Sequence, residues 1–169
     1  AINPGNSGGP LLDSAGRLIG INTLIYSPSG AYAGVGFAVP VDTVNRIVPK
    51  LISKGRYERP NPGIGMDEEL NQAIMQQLGL KGVAVLSVYP NSGAAAAGLR
   101  PAQRDRRGDL LIGDIIVAVD GKTTASPSAM ISLLDEHEIG DRVQLTLLRE
   151  NKKVNVMVEL QGAQRGLRR

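Results

Sequence analysis

Ser7 lies in the run Asn3-Pro4-Gly5-Asn6-Ser7-Gly8-Gly9-Pro10. Gly5, Gly8 and Gly9 open backbone conformations closed to other residues. Pro4 and Pro10 fix φ on the two flanks. Such a loop can turn sharply, expose the Ser7 hydroxyl and aim backbone N–H groups at one point. Those are the requirements of a serine nucleophile with an oxyanion hole. The N–H groups of Gly5 and Ser7, with Asn6 between them, would hold the oxyanion. The same residue types also fill plain turns, so composition alone leaves both readings open.

A serine nucleophile needs a general base, and the base needs an orienting carboxylate. His137 is the only histidine in the chain. It is expected at the C-terminal end of a helix, where a cation meets the helix dipole favourably. Asp13 is expected in a hairpin turn and Asp42 at a helix N-cap, so neither is a credible orienting carboxylate. The chain therefore carries a nucleophile without its base, and is expected to be inactive alone.

Other chemistries find no support. Gly34-Val35-Gly36 lacks the third glycine and following helix of a dinucleotide site. One histidine and no cysteine leave no plausible zinc site, so no metal and no cofactor are expected. The chain has 169 residues, 42% hydrophobic and 21% charged, as in a globular protein of one domain or two small ones. No apolar run is long enough to span a membrane. Net charge is +3, with arginines gathered in Arg104-Asp105-Arg106-Arg107 and Arg165-Gly166-Leu167-Arg168-Arg169. With only 3% aromatic residues there are too few stacking platforms for nucleic acid. These clusters read as a solvated loop and a frayed tail.

The elements that must position Ser7 follow it directly. Leu11-Leu12 and Arg17 to Ile25 read as strands joined by the turn Asp13-Ser14-Ala15-Gly16. Tyr26 to Gly34 is a loop, and Val35 to Val39 a third strand. A helix should start at Asp42, with Val44, Ile47, Val48, Leu51 and Ile52 as its apolar face. Pro49 should kink or break it, and Gly55 should end it. Arg56 to Pro62 reads as a linker. A second pattern then runs from Gly63 to Gly162. It opens with a helix, Asp67 to Leu78, whose apolar side is Leu70, Ala73, Ile74 and Leu78. Val83 to Val88 reads as one buried strand, and an alanine-rich helix ends at Gly98. Asp114 to Val119 is a strand turning at Asp120-Gly121. Pro127 to His137 is a helix. Two strands, Val143 to Leu148 and Val154 to Val158, are joined by Glu150-Asn151-Lys152-Lys153. Residues 163–169 are a basic tail.

Gly5-Asn6-Ser7-Gly8-Gly9-Pro10 resembles the nucleophile loop of chymotrypsin-like serine proteases, with Asn6 where many members have Asp. The longer run from Ala1 to Leu12, with Gly20-Ile21-Asn22-Thr23 and Gly36-Phe37-Ala38-Val39-Pro40, resembles the HtrA/Deg branch. The second pattern resembles a PDZ domain through three blocks: Pro90 to Leu99, Gly113 to Gly121, and Gly140-Asp141-Arg142-Val143. The resemblance implies a mainly β fold with some α. Residues 1–55 would be the end of a chymotrypsin-like β-barrel, 56–62 a linker and 63–162 the PDZ domain. The rest of the barrel is expected upstream of Ala1, and the partial barrel is not expected to be stable by itself.

The resemblance also implies a serine endopeptidase of protein quality control acting on unfolded or damaged proteins, with a non-catalytic peptide-binding module as the alternative. Ser7 would be its nucleophile, and Ile2, Leu24 and Ile25 would line the pocket for the residue before the cut. Family members often carry Ala where Leu24 stands, so the pocket should be narrow and favour Val or Ala. Alternation along a strand leaves open that Leu24 points into the barrel instead. Gly63-Ile64-Gly65-Met66 resembles the carboxylate-binding loop of PDZ domains, where C-terminal tails add as a strand. Ile64 and Met66 would line its apolar pocket with Met130, Ile131 and Leu134. The implied setting is extracytoplasmic, a periplasm or thylakoid lumen, and the full-length parent could form a homotrimer.

Overall fold

The structure, a computed structural model, describes residues 5–26 and 35–162. The chain divides into two units, residues 1–57 and 58–169.

In the first unit, β1 (Pro10–Leu12), β2 (Leu18–Tyr26) and β3 (Val35–Pro40) form an antiparallel sheet in that order. Asp13 makes the first turn. Its Oδ1 accepts from the Ala15 and Arg17 N–H groups at 2.9 Å each, and its Oδ2 from Arg17 Nε at 2.8 Å. The backbone and side-chain hydrogen bonds from Arg17 hold the Asp13 carboxyl below its usual range. Asp13 is thus spent on the turn.

The helix α1 (Val41–Lys54) starts one residue earlier than expected. Pro40 is its N-cap without a side-chain bond, and Asp42 lies in the first turn, where a carboxylate suits the dipole. The break expected at Pro49 does not occur. Pro49 and Asn45, whose carbonyl loses its usual donor, both face solvent, and water can satisfy that carbonyl. Gly55 ends the helix in the left-handed region, donating its N–H to the Leu51 carbonyl. No residue of α1 is buried; Ile52 is 81% exposed and Leu51 43%. The expected apolar face is only half-covered, at Val44, Ile47 and Val48.

The second unit begins with β4 (Pro60–Asn61) and β5 (Ile64–Gly65), so the stretch expected as a linker contributes a strand. The helix α2 (Glu68–Leu78) is capped by Asp67, whose side chain accepts from Leu70 N–H, and is stopped by Gly79. It buries Asn71, Ile74 and Met75, not Leu70 and Leu78, which are 44% exposed each. Asn71 decides that rotation. Its Nδ2 donates to the Gly82 carbonyl at 3.1 Å, and its Oδ1 accepts from Ala84 N–H at 2.8 Å.

The single strand expected over Val83 to Val88 is two, β6 (Val83–Ala84) and β7 (Ser87–Val88). At Val85-Leu86 the chain crosses from one sheet to another: Val85 N–H donates to the Asp114 carbonyl and Leu86 N–H to the Gly65 carbonyl. Then come α3 (Gly93–Ala96), capped by Ser92, and a hairpin of β8 (Gln103–Arg104) and β9 (Leu110–Leu111). The arginine-rich stretch expected as a loop is this hairpin, its turn closed by Asp105 Oδ1 accepting from the Arg107 and Asp109 N–H groups.

β10 (Ile115–Val119) and β11 (Lys122–Thr123) turn at Asp120-Gly121, both at positive φ. The helix α4 (Pro127–Leu134) stops short of His137, which lies in the following turn. In that turn Glu136 pairs with Lys122 Nζ at 2.6 Å and Asp135 with Arg59 Nε at 3.6 Å. β12 (Arg142–Arg149) and β13 (Lys152–Glu159) form a hairpin with a two-residue turn, Glu150-Asn151, so Lys152 and Lys153 belong to the strand. β14 (Gln161–Gly162) pairs β4. The main sheet runs β11-β10-β12-β13, with β6 also on β10. Its core holds Val83, Ile116, Val143, Leu145, Leu147 and Val158, each 0% exposed.

One buried ion pair ties this sheet to the loop after α3. Asp114, 0% exposed, accepts from Arg149 Nε and an Arg149 terminal nitrogen at 2.7 Å each, and from Arg100 N–H at 2.8 Å. Arg149 also donates to the Gly98 carbonyl. Burial alone would raise the Asp114 carboxyl, but the Arg149 and Arg100 bonds outweigh it and hold it below the usual range. A lowered folded value stabilises the fold fully above the unfolded pKa of about 3.9, and that stability is lost as pH falls through the folded value. Asp114→Ala should therefore cost about 3–5 kcal/mol in urea denaturation at neutral pH, because Arg149 is left uncompensated. Below about pH 4 the variant's stability should depend less on pH than the native chain's.

Candidate functional site

The Ser7 loop is laced to β2 on both sides. Gly8 N–H donates to the Asn22 carbonyl at 2.8 Å, and Asn22 N–H to the Gly9 carbonyl at 3.0 Å. Gly9 N–H returns to the Asn6 carbonyl at 3.0 Å, which closes a turn over Ser7. Gly5 and Gly8 stand at φ +100° and +82°, where side chains are strained. Residues 5–8 are exposed. The Ser7 hydroxyl donates to the Thr23 carbonyl at 2.6 Å. Neither the Gly5 nor the Ser7 N–H finds an acceptor among the described residues, as a site awaiting an oxyanion requires.

Thr23 belongs to the stretch Asn22-Thr23-Leu24-Ile25 that the resemblance implies as pocket lining, but its carbonyl bond with Ser7 was not expected. A bulge between Asn22 and Leu24 places it, and its own hydroxyl donates to the Phe37 carbonyl at 3.0 Å. No sequence signal marks that bulge. Ile2 lies outside the described residues. Leu24 and Ile25 pair with Phe37 and Gly36 in the β2–β3 ladder, and their side chains lie outside the described residues. His137 is in the second unit, its Nε2 3.3 Å from Asp120 Oδ2 and its Nδ1 4.0 Å from Asp141 Oδ2.

The Gly63-Ile64-Gly65-Met66 segment is a loop entering β5, which pairs β7 through Ile64↔Val88 and Gly65↔Ser87. Gly63 stands at φ +90°, and a Cβ there would overlap Ser92. Its carbonyl accepts from Tyr89 N–H at 2.9 Å and from Ser92 Oγ at 3.3 Å. Asn61 Oδ1 accepts from the Gly63 N–H at 2.6 Å and the Ile64 N–H at 3.3 Å. The Met66 N–H has no acceptor among the described residues. Ile64, Met130 and Leu134 are at most 2% exposed and share the main core. Met66 packs on that core while half-exposed, as Ile131 is half-exposed, so these two keep surface beside the loop. Asn61 and Ser92 are the contributors that sequence reading missed. Asn61-Pro62-Gly63 is a recognisable Asx-turn signal, whereas the Ser92 contact spans 29 positions and leaves none.

Residues 62–160 match the family model described as PDZ domain, and residues 1–48 the one described as Trypsin. Protease Do-like 1, chloroplastic, of Arabidopsis thaliana is 48% identical over 95% of this chain and 36% of its own length. Periplasmic serine endoprotease DegP of Escherichia coli K12 is 38% identical over 95% of the chain and 32% of its own. The solved HtrA-type protease AlgW with decapeptide is 33% identical, with a TM-score of 0.67 over 96% of this chain and 47% of that one. The chain belongs to the HtrA/Deg family of chymotrypsin-like serine proteases that carry a PDZ domain. It spans about a third of the length of the curated relatives it matches.

Two of the positive-φ glycines of the second unit, Gly63 and Gly140, make a matched test of the loop. Gly63→Ala should cost more than Gly140→Ala, because both positions have φ above +90° or at it but only Gly63 has a neighbour in the way. Backbone strain alone is worth about 1–3 kcal/mol, so Gly140→Ala should fall in that range and Gly63→Ala beyond it in urea denaturation.

Proposed function

We propose that this chain serves a serine endopeptidase of protein quality control that cleaves unfolded or damaged polypeptides. Ser7 is the nucleophile, the N–H groups of Gly5 and Ser7 hold the oxyanion around Asn6, and β2 beside the loop lines the pocket for the residue before the cut. The observation that carries this reading is an exposed serine hydroxyl in a glycine turn flanked by two unspent N–H groups. Each such donor is worth about 3 kcal/mol in a transition state. The Ser7 hydroxyl donates to the Thr23 carbonyl, so it must turn from that acceptor to a general base that takes its proton as it attacks. The one histidine is engaged with Asp120 and Asp141 in the second unit, and the base and its carboxylate come from outside these 169 residues.

The second unit takes hydrophobic C-terminal tails at Gly63 to Met66, alongside Ile131 on α4. The free Met66 N–H receives the carboxylate, which competes with Asn61 for the Ile64 N–H. Two relatives are named as chloroplastic and periplasmic proteases, which supports an extracytoplasmic setting. Among the described residues no helix is long and apolar enough to cross a membrane.

In the complete protease Ser7→Ala should lower turnover of an unfolded protein by about a million-fold. The 169-residue chain alone should show no hydrolysis. Cleavage by the chain alone that Ser7→Ala abolishes would overturn the requirement for an outside base. For the tail site, a peptide ending in an apolar residue should shift the amide resonances of Ile64 to Met66 with micromolar to millimolar affinity. Its C-terminally amidated form should bind more weakly. No shift at those amides would remove the tail-binding claim.

A further inference from the structure

β4 and β14 bring two side-chain amides together at the entrance to the tail site. Asn61 stands opposite Gln161 in that ladder, and Pro60 opposite Gly162. Directly opposed side chains lie on one face of a sheet, with Cβ atoms about 5 Å apart. Asn61 Oδ1 is engaged, accepting from the Gly63 N–H at 2.6 Å and from the Ile64 N–H at 3.3 Å. Gln161 Nε2 is not. It is buried without a hydrogen-bond partner among the described residues, 3.0 Å from where a Cβ on Gly63 would stand. A buried amide donor left unpaired is costly, and native folds keep few of them.

One oxygen thus holds every N–H that residues 62–64 offer, since Pro62 has none. An incoming peptide carboxylate finds both donors spent. Pro60 and Pro62 fix φ on either side of Asn61, so the donors are released through the Asn61 side chain and not through its backbone. Asn61 Nδ2 has no partner among the described residues, so the two Oδ1 bonds are all the hydrogen bonds that hold this amide. Turned toward its cross-strand neighbour, Oδ1 meets Gln161 Nε2. The exchange is matched: the carboxylate takes the two N–H groups, and Gln161 takes the oxygen they let go. With a tail bound, each of these groups has a partner. Without one, Gln161 Nε2 is left over. Gly63 keeps its place throughout, because Tyr89 N–H and Ser92 Oγ hold its carbonyl.

We propose that Asn61 is a latch on the carboxylate seat, and that Gln161 is the catch that receives it when a tail enters. This rests on the reading of Gly63 to Met66 as a tail site and adds its regulation. The latch lowers the affinity for free carboxylate ends by the cost of opening, and the catch reduces that cost. A ligand that pairs at Met66 without using the Gly63 and Ile64 N–H groups leaves the latch closed.

Titration of the 169-residue chain with a peptide ending in valine, as the free acid and as the C-terminal amide, tests this. Asn61→Ala should tighten binding of the acid about five- to tenfold, and of the amide much less. Gln161→Met, close to isosteric, should weaken binding of the acid about threefold. In the Asn61→Ala background it should have no effect. Gln161→Met should not lower stability in urea, because it removes an orphaned donor. If the two side chains only shaped the loop, acid and amide would shift alike and the two substitutions would add. Weaker or unchanged acid binding by Asn61→Ala would overturn the latch and leave the tail reading standing. A Gln161→Met effect that persists without Asn61 would remove the catch. If neither the native chain nor Asn61→Ala binds the acid, the tail reading falls and the latch falls with it.

Discussion

Backbone polar groups in the second unit must find partners although most of its strands are two residues long. β4 to β9, β11 and β14 are all that short, and ladders of that length leave buried N–H and C=O groups unpaired at every junction. The buried polar side chains supply what the ladders lack. Asn71 serves Gly82 and Ala84, Ser92 serves Gly63 and Ala95, and Asp114 serves Arg100. Apart from the Ser92 cap on Ala95, these bonds cross from one element to another, so they fix mutual positions as well as satisfying groups.

This explains why the apolar pattern of α2 misleads. Leu70, Ala73, Ile74 and Leu78 make an acceptable hydrophobic face, yet the helix turns Asn71 inward. An unpaired buried amide or carbonyl costs more than a half-exposed leucine forfeits. The same constraint splits Val83 to Val88, because Val85 and Leu86 must donate to carbonyls in different sheets. The loop that would take a peptide carboxylate is a product of this network. Ser92 and Asn61 hold Gly63 where its left-handed backbone is required, and the core under Ile64 keeps the entering strand in place.

The first unit follows different physics. Its sheet is held by longer ladders and by turns made from adjacent residues, Asp13 with Arg17 and Asn6 with Gly9. What it lacks is cover, since Phe37, Leu51 and Ile52 remain exposed. The Ser7 loop is nevertheless formed, because its bonds run to the neighbouring strand β2 and need no distant element.

The sequence by itself determined the features that depend on near neighbours. The glycine turn around Ser7, the caps at Asp67, Ser92 and Gly79, the Asp120-Gly121 hairpin and the three blocks that place the chain in its family rest on residues a few positions apart. Their chemistry is complete within the local chain. Tertiary structure decided which face of α2 is buried, that Pro49 is tolerated at an exposed site, that the Thr23 carbonyl accepts the hydrogen bond of the Ser7 hydroxyl, and that Asn61 already holds two of the expected N–H groups. Those outcomes depend on which group competes for a given hydrogen bond across the fold, and that competition is settled only when distant residues are brought within reach of one another.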